Sequence, residues 1–109
     1  MFFILKLEFI EMLIRIVKMT FEPKEAENFQ QLFDRNKNKI RNFEGCNHLE
    51  LLRDKNDTNI FFTYSYWNDE TALNEYRHSE LFKAVWSETK ILFSAKPEAW
   101  SVNRLVSLE

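Results

Sequence analysis

The run IFFTYSYW, residues 60–67, has the β-branched and aromatic content of a strand but carries large side chains on both of its faces. Phe61, Thr63, Ser65 and Trp67 point one way, and Ile60, Phe62, Tyr64 and Tyr66 the other. A sheet covered by helices on one face alone would leave the second set in water, so that face must meet something else.

Upstream, NHLELLRD (47–54) alternates, and KNDTN (55–59) supplies turn-forming Asn and Asp, which makes the two runs a hairpin. Downstream, Asn68 is placed to cap a helix from about residue 69 to Arg77, and Ser79 to cap another. Leu81, Phe82, Val85, Trp86, Thr89, Leu92 and Phe93 lie along the inner side of that second helix, and Pro97 stops it. Ahead of the hairpin, MLIRIVKMTF (12–21) reads as a strand closing at Glu22-Pro23, and proline suits the first turn of a helix. Ala26, Phe29, Phe33 and Ile40 then recur at helical spacing, with Leu32 widening the stripe, up to about Asn42, and Gly45 supplies the turn. AWSVNRLVSL (99–108) predicts a last strand. The order βαββαβ predicts an α+β, ferredoxin-like fold: a four-stranded antiparallel sheet with helices on one face.

The 109 residues suffice for one domain, here 12–109, preceded by an extension of unknown role at 1–11. MFFILKLEFIE lacks the basic start and cleavage site of a secretory signal and is too short and charged to span a bilayer, so no membrane association is expected. A net charge of −2 with dispersed lysines and arginines argues against nucleic acid. The single glycine removes phosphate-cradling loops and dinucleotide fingerprints. One cysteine, Cys46, rules out an intrachain disulfide and fits a reducing, cytoplasmic setting. Eleven phenylalanines in so small a domain must be buried or lent to a partner, which favours an oligomer.

The aromatic residues crowd into YSYWNDETALNEYRHSELFKAVW (64–86). Trp67, at the end of a central strand and next to a helix cap, can reach the mouth of the space between sheet and helices, or simply fill the core. His78, at the junction of two helices, offers a group that titrates near neutral pH; its plainer reading is a solvated histidine beside Arg77 and Glu80. His48 is a weaker candidate. Tyr64, Tyr66 and Tyr76 could orient an oxygenated ring. Two distant histidines without clustered carboxylates make no metal site, and no serine or cysteine stands in a nucleophile motif. An enzyme with this sequence would need its substrate to bring most of the chemistry.

From Met12 onward the chain resembles the antibiotic biosynthesis monooxygenase domain of the dimeric α/β-barrel superfamily. The resemblance rests on NFEGCNHLELLRD, on FFTYSYWNDETALNEY ending its strand in tryptophan, and on HSELFKAVW opening the next helix. It implies a homodimer with two sheets facing each other as a barrel, and a pocket in each subunit between sheet and helices. Some members oxygenate polyphenols or quinols with neither metal nor flavin: a deprotonated, electron-rich ring reduces O2, and the protein supplies a dry pocket and a proton acceptor. The resemblance together with the aromatic density of 64–86 points to Trp67 as the residue that positions a ring, Tyr76 or His78 as the one that handles a proton, and Tyr64, Phe82 and Trp86 as substrate-binding residues, the last two excluding water. Tyr76 stands where many members carry a histidine, and His78 lies two residues on, roughly 200° around a helix. A haem-degrading branch uses a first-strand asparagine and an iron-ligating histidine; Lys18 and Trp86 occupy those places here, so haem chemistry is not expected. The expectation is a small homodimeric oxidoreductase, a cofactor-independent monooxygenase of aromatic or quinol-type compounds. The alternative is a non-catalytic ligand-binding or stress-linked regulatory dimer, since the fold alone does not establish catalysis.

Overall fold

The computed structural model describes residues 12–109, and the extension expected at 1–11 lies outside the described residues. Strand β1 (Leu13–Thr20) runs into a 3-10 turn at Pro23–Glu25 and then into helix α1 (Ala26–Arg41). Strands β2 (Cys46–Arg53) and β3 (Ile60–Trp67) form a hairpin. Helices α2 (Glu70–Arg77) and α3 (Glu80–Lys90) follow, and strand β4 (Glu98–Asn103) closes the order. The sheet order is β2-β3-β1-β4 with every pair antiparallel, the ferredoxin-like arrangement expected from the sequence.

Local chemistry explains the boundaries. In the hairpin turn, Asp54 Oδ2 accepts from the backbone N–H groups of Asn56 at 3.0 Å and Asp57 at 2.7 Å, so its carboxyl is held below the usual range by those bonds. Gly45 has φ +90, and a Cβ there would lie 2.6 Å from Ala72 Cβ, so only glycine lets the α1–β2 turn adopt this form against α2. Ser79 caps α3 as expected, its Oγ accepting from Phe82 N at 3.1 Å. The cap of α2 is Asp69, which accepts from Ala72 N at 2.8 Å, and not the expected Asn68, whose side chain instead accepts from Asn47 Nδ2 at 2.8 Å. The last strand stops at Asn103 instead of running to 108, because its partner β1 begins at Leu13, which pairs with Asn103. Leu105 and Leu108 beyond it are exposed.

Strand registers divide the sheet into two faces. Trp67 pairs with Leu13, Ser65 with Arg15, Thr63 with Val17 and Phe61 with Met19, and these residues face the helices. One end of the sheet–helix space is filled by phenylalanine: Phe21 is fully buried, with ring centroids 4.2 Å from Phe29, 5.1 Å from Phe93 and 5.8 Å from Phe61. The other face carries Ile16, Phe62, Tyr64, Tyr66, Leu52, Trp100 and Val102 by the same alternation. Trp100 and Leu52 there are 45% and 44% exposed, and among the described residues no helix covers this face. No helix among the described residues is long and apolar enough to cross a membrane.

Candidate functional site

At the Trp67 end the space between sheet and helices opens into a cavity of about 350 Å³. The middle of its floor carries short side chains in adjacent registers, Thr63 and Ser65 on β3, Val17 on β1 and Ala99 on β4, with the longer Arg15, Met19 and Leu49 around them. Helices rest on the large residues around this floor, so the middle stays open. The walls are aromatic. Phe82, Val85 and Trp86 of α3 form one side, and Trp67 with Tyr76 of α2 the other.

Trp67 is 1% exposed, and its Nε1–H donates to Ser65 Oγ at 2.9 Å. That bond satisfies the buried indole and fixes its plane. Tyr76 stacks on Trp67 with centroids 4.9 Å apart and 26° between planes, and meets Phe82 edge-on at 5.3 Å. Phe82 stacks on Trp86 at 5.8 Å and 10°, and Trp86 touches Phe93 edge-on at 5.6 Å. A chain of ring contacts therefore connects the cavity wall to the phenylalanine core. Burial, with a smaller contribution from the Cys46 thiol, pushes the Tyr76 phenol well above its ordinary value, so it stays protonated and can donate a hydrogen bond. Cys46 is itself raised by burial, although a backbone hydrogen bond with His48 and the charge of Arg41 oppose this.

Four of the residues singled out from the sequence, Trp67, Tyr76, Phe82 and Trp86, come together around this cavity. Two do not. His78 is the exposed C-cap of α2, and its Nδ1–H donates back to the Asn74 carbonyl at 2.7 Å, which ties the ring to the helix end and away from the cavity. Tyr64 lies on the opposite face of the sheet, edge-on to Tyr66 at 5.4 Å, because its register is odd-to-even with Ser65 and Trp67. His48 is on that same face, stacked near Tyr66 and paired with Glu50. Lys18 also faces away from the helices, 3.8 Å from Glu98, so the cavity-facing positions of β1 are its odd-numbered neighbours.

Two cationic residues that the sequence reading passed over also line the cavity: Arg15 on the floor, and Arg77 at the end of α2. Arg15 Nη1 donates to Ser101 Oγ at 3.0 Å. The signal was present in LIRIVKMT, where the set Leu13, Arg15, Val17, Met19 holds one arginine among apolar residues. Among the described residues no three His, Cys, Asp or Glu side chains come together as a metal site.

The fold and this cavity define a ferredoxin-like domain with an aromatic-walled space between its sheet and helices. Residues 12–86 match the antibiotic biosynthesis monooxygenase family, well over half of the chain, and the chain belongs to that family. Solved structures share the fold. A conserved protein from Methanosarcina mazei superposes with a TM-score of 0.85 at 16% identity, covering 91% of this chain and 98% of that one. An antibiotic biosynthesis monooxygenase gives 0.81 at 18%, covering 86% and 99%, and a protein from Mycobacterium tuberculosis gives 0.81 at 16%, covering 90% and 99%. A comparison with curated proteins gives no match.

Proposed function

We propose that the protein is a cofactor-independent monooxygenase of aromatic, polyphenolic or quinol-type small molecules, acting as a homodimer. The observation that carries this reading is the aromatic-walled cavity at Trp67, of a volume suited to a two-ring compound. A ring held by the Trp67–Tyr76 and Phe82–Trp86 stacks would be oriented and kept from bulk water. Tyr76, held protonated, would donate a hydrogen bond to the substrate oxyanion instead of serving as a base. The substrate hydroxyl would lose its proton to water at the cavity mouth. In the overall step one oxygen atom of O2 replaces two ring hydrogens as a quinone carbonyl, and the other leaves as water with those two hydrogens. The ring supplies all four electrons. His78 and Tyr64 take no part in this reading, given where they lie.

The second face of the sheet, which no helix covers among the described residues, supports the dimer: Ile16, Phe62, Tyr66, Trp100 and Val102 lie on it and suit the same surface of a second copy. The second reading, a non-catalytic ligand-binding dimer, is favoured by one observation. Among the described residues that line the cavity there is no His, Asp or Glu to serve as a base.

Oxygen uptake with a panel of quinols and anthrones, using labelled O2, separates the two. Incorporation of one labelled atom per product, with release of water, is the expected result. Ring compounds that bind without consuming O2 would sink the enzymatic reading and leave the binding module.

A further inference from the structure

Among the residues lining the cavity, Arg15 occupies the least expected position. It lies on the central part of β1, on the face that the helices cover, where its neighbours along the strand are Leu13 and Val17. Across the sheet its row runs Leu49, Ser65, Arg15, Ser101, a polar strip through an otherwise apolar floor. A guanidinium has about five N–H donors, and the hydrogen bond this side chain makes among the described residues, to Ser101 Oγ, uses a single donor. Arg77 lines the same cavity from the end of α2, and its charge acts unfavourably on Arg15, as does the burial of Arg15 itself. Among the described residues neither arginine has a carboxylate within ion-pair distance. Arg15 is half-buried and Arg77 stands exposed at the rim, so two like charges border one space without a carboxylate partner among the described residues, and an anionic ligand there would relieve their repulsion.

We infer that the ligand of this cavity is an aromatic acid, its ring between the Trp67–Tyr76 and Phe82–Trp86 stacks and its carboxylate on Arg15 and Arg77. Paired guanidinium groups suit a planar oxyanion that can accept two parallel hydrogen bonds. Ser65 in the same row and Thr63 in the next also line the cavity, and its volume of about 350 Å³ suits a ring with a carboxylate. The inference deepens the proposed function by naming the charge its substrate carries, and it rests on that reading only for the chemistry, not for the binding.

The test is a titration of intrinsic tryptophan fluorescence with 2-naphthoate and with its neutral counterpart 2-naphthamide. Naphthoate is expected to bind at least about tenfold more tightly, the gain of a charge-assisted hydrogen bond over a neutral one. Arg15→Gln and Arg77→Gln should each remove most of that preference by weakening naphthoate far more than naphthamide, and Arg15→Lys should restore part of it. Equal affinities for the two probes in the unaltered protein, or no binding of naphthoate, would overturn the inference without any variant having to fold. So would variants that weaken both probes equally, since the arginines would then serve the fold alone. The outcome is separable from the monooxygenase reading. Naphthoate held through the arginines with no O2 uptake on any quinol keeps this inference and removes the enzyme; turnover of neutral quinols with no preference for acids does the reverse.

Discussion

At one end of the space between sheet and helices, Phe21, Phe29, Phe61 and Phe93 press ring against ring; at the other, Trp67, Tyr76, Phe82 and Trp86 stand around a cavity of about 350 Å³. Both ends are built from rings of similar bulk, so aromatic content does not decide which is closed. The sheet floor decides it. Beneath the phenylalanines the floor residues are Phe61 and Met19, whereas the cavity floor beyond them is mostly short, with Thr63, Ser65, Val17 and Ala99; Met19 and Phe29 form the boundary that both regions share. A core that cannot collapse onto short side chains keeps its void, and a polar strip across that void makes it a place for a ligand.

The contrast can be broken most severely at its closed end. Phe21→Ala should cost about 3–5 kcal/mol, because three neighbouring rings lose their partner at a fully buried site. Urea unfolding measures this, and a loss below about 1 kcal/mol would mean that the phenylalanine end is looser than described. Gly45→Ala comes next. It forces a side chain into φ +90 and against Ala72, so a loss of more than about 1 kcal/mol is expected, together with displacement of α2 and the Tyr76 it carries.

Thr63→Ile sharpens the comparison from the open side. The added carbon enters the cavity and not a packed core, so stability should move by no more than about 0.5 kcal/mol. Affinity for two-ring ligands should fall about tenfold or more as the space is taken up. Unchanged affinity would place the ligand elsewhere.

Tyr76→Phe should do least at neutral pH, and its effect is one of slope. Burial raises the folded-state phenol, so the folded chain keeps a proton that the unfolded chain gives up near its ordinary value of about 10. The stability tied to that proton is complete below the unfolded value and is lost as pH rises above it. Thermal unfolding at neutral and alkaline pH should show a steeper alkaline loss in the unaltered protein than in Tyr76→Phe.

Much of the fold was legible because alternation in IFFTYSYW, the Asn-rich turn before it and the Ser79 cap are local signals with single readings. The apolar residues on both faces of that strand likewise showed in advance that a second surface needs covering. What escaped was the phase of one strand against another. LIRIVKMT is apolar on both faces, so only its pairing, Arg15 opposite Ser65, reveals which set faces the helices and that a charge lies on the cavity floor. Tyr64 was assigned to the cavity for its chemistry although alternation already set it opposite Trp67. His78 turned on whether the helix ended at Arg77, and a helix-end carbonyl, that of Asn74, claimed its ring. The length of β4 depended on where its neighbour starts, which AWSVNRLVSL does not contain.

The most direct measurement follows the three indole N–H signals by NMR while 2-naphthol, a neutral two-ring phenol, is titrated in. Trp67 and Trp86 line the cavity, whereas Trp100 lies on the opposite face of the sheet, opposite Ile16 in β1, and serves as an internal control. The account predicts that the Trp67 and Trp86 signals shift together to saturation while that of Trp100 stays in place. Shifts confined to Trp100, or no shift of Trp67, would contradict it and move ligand binding to the helix-free face or off the protein.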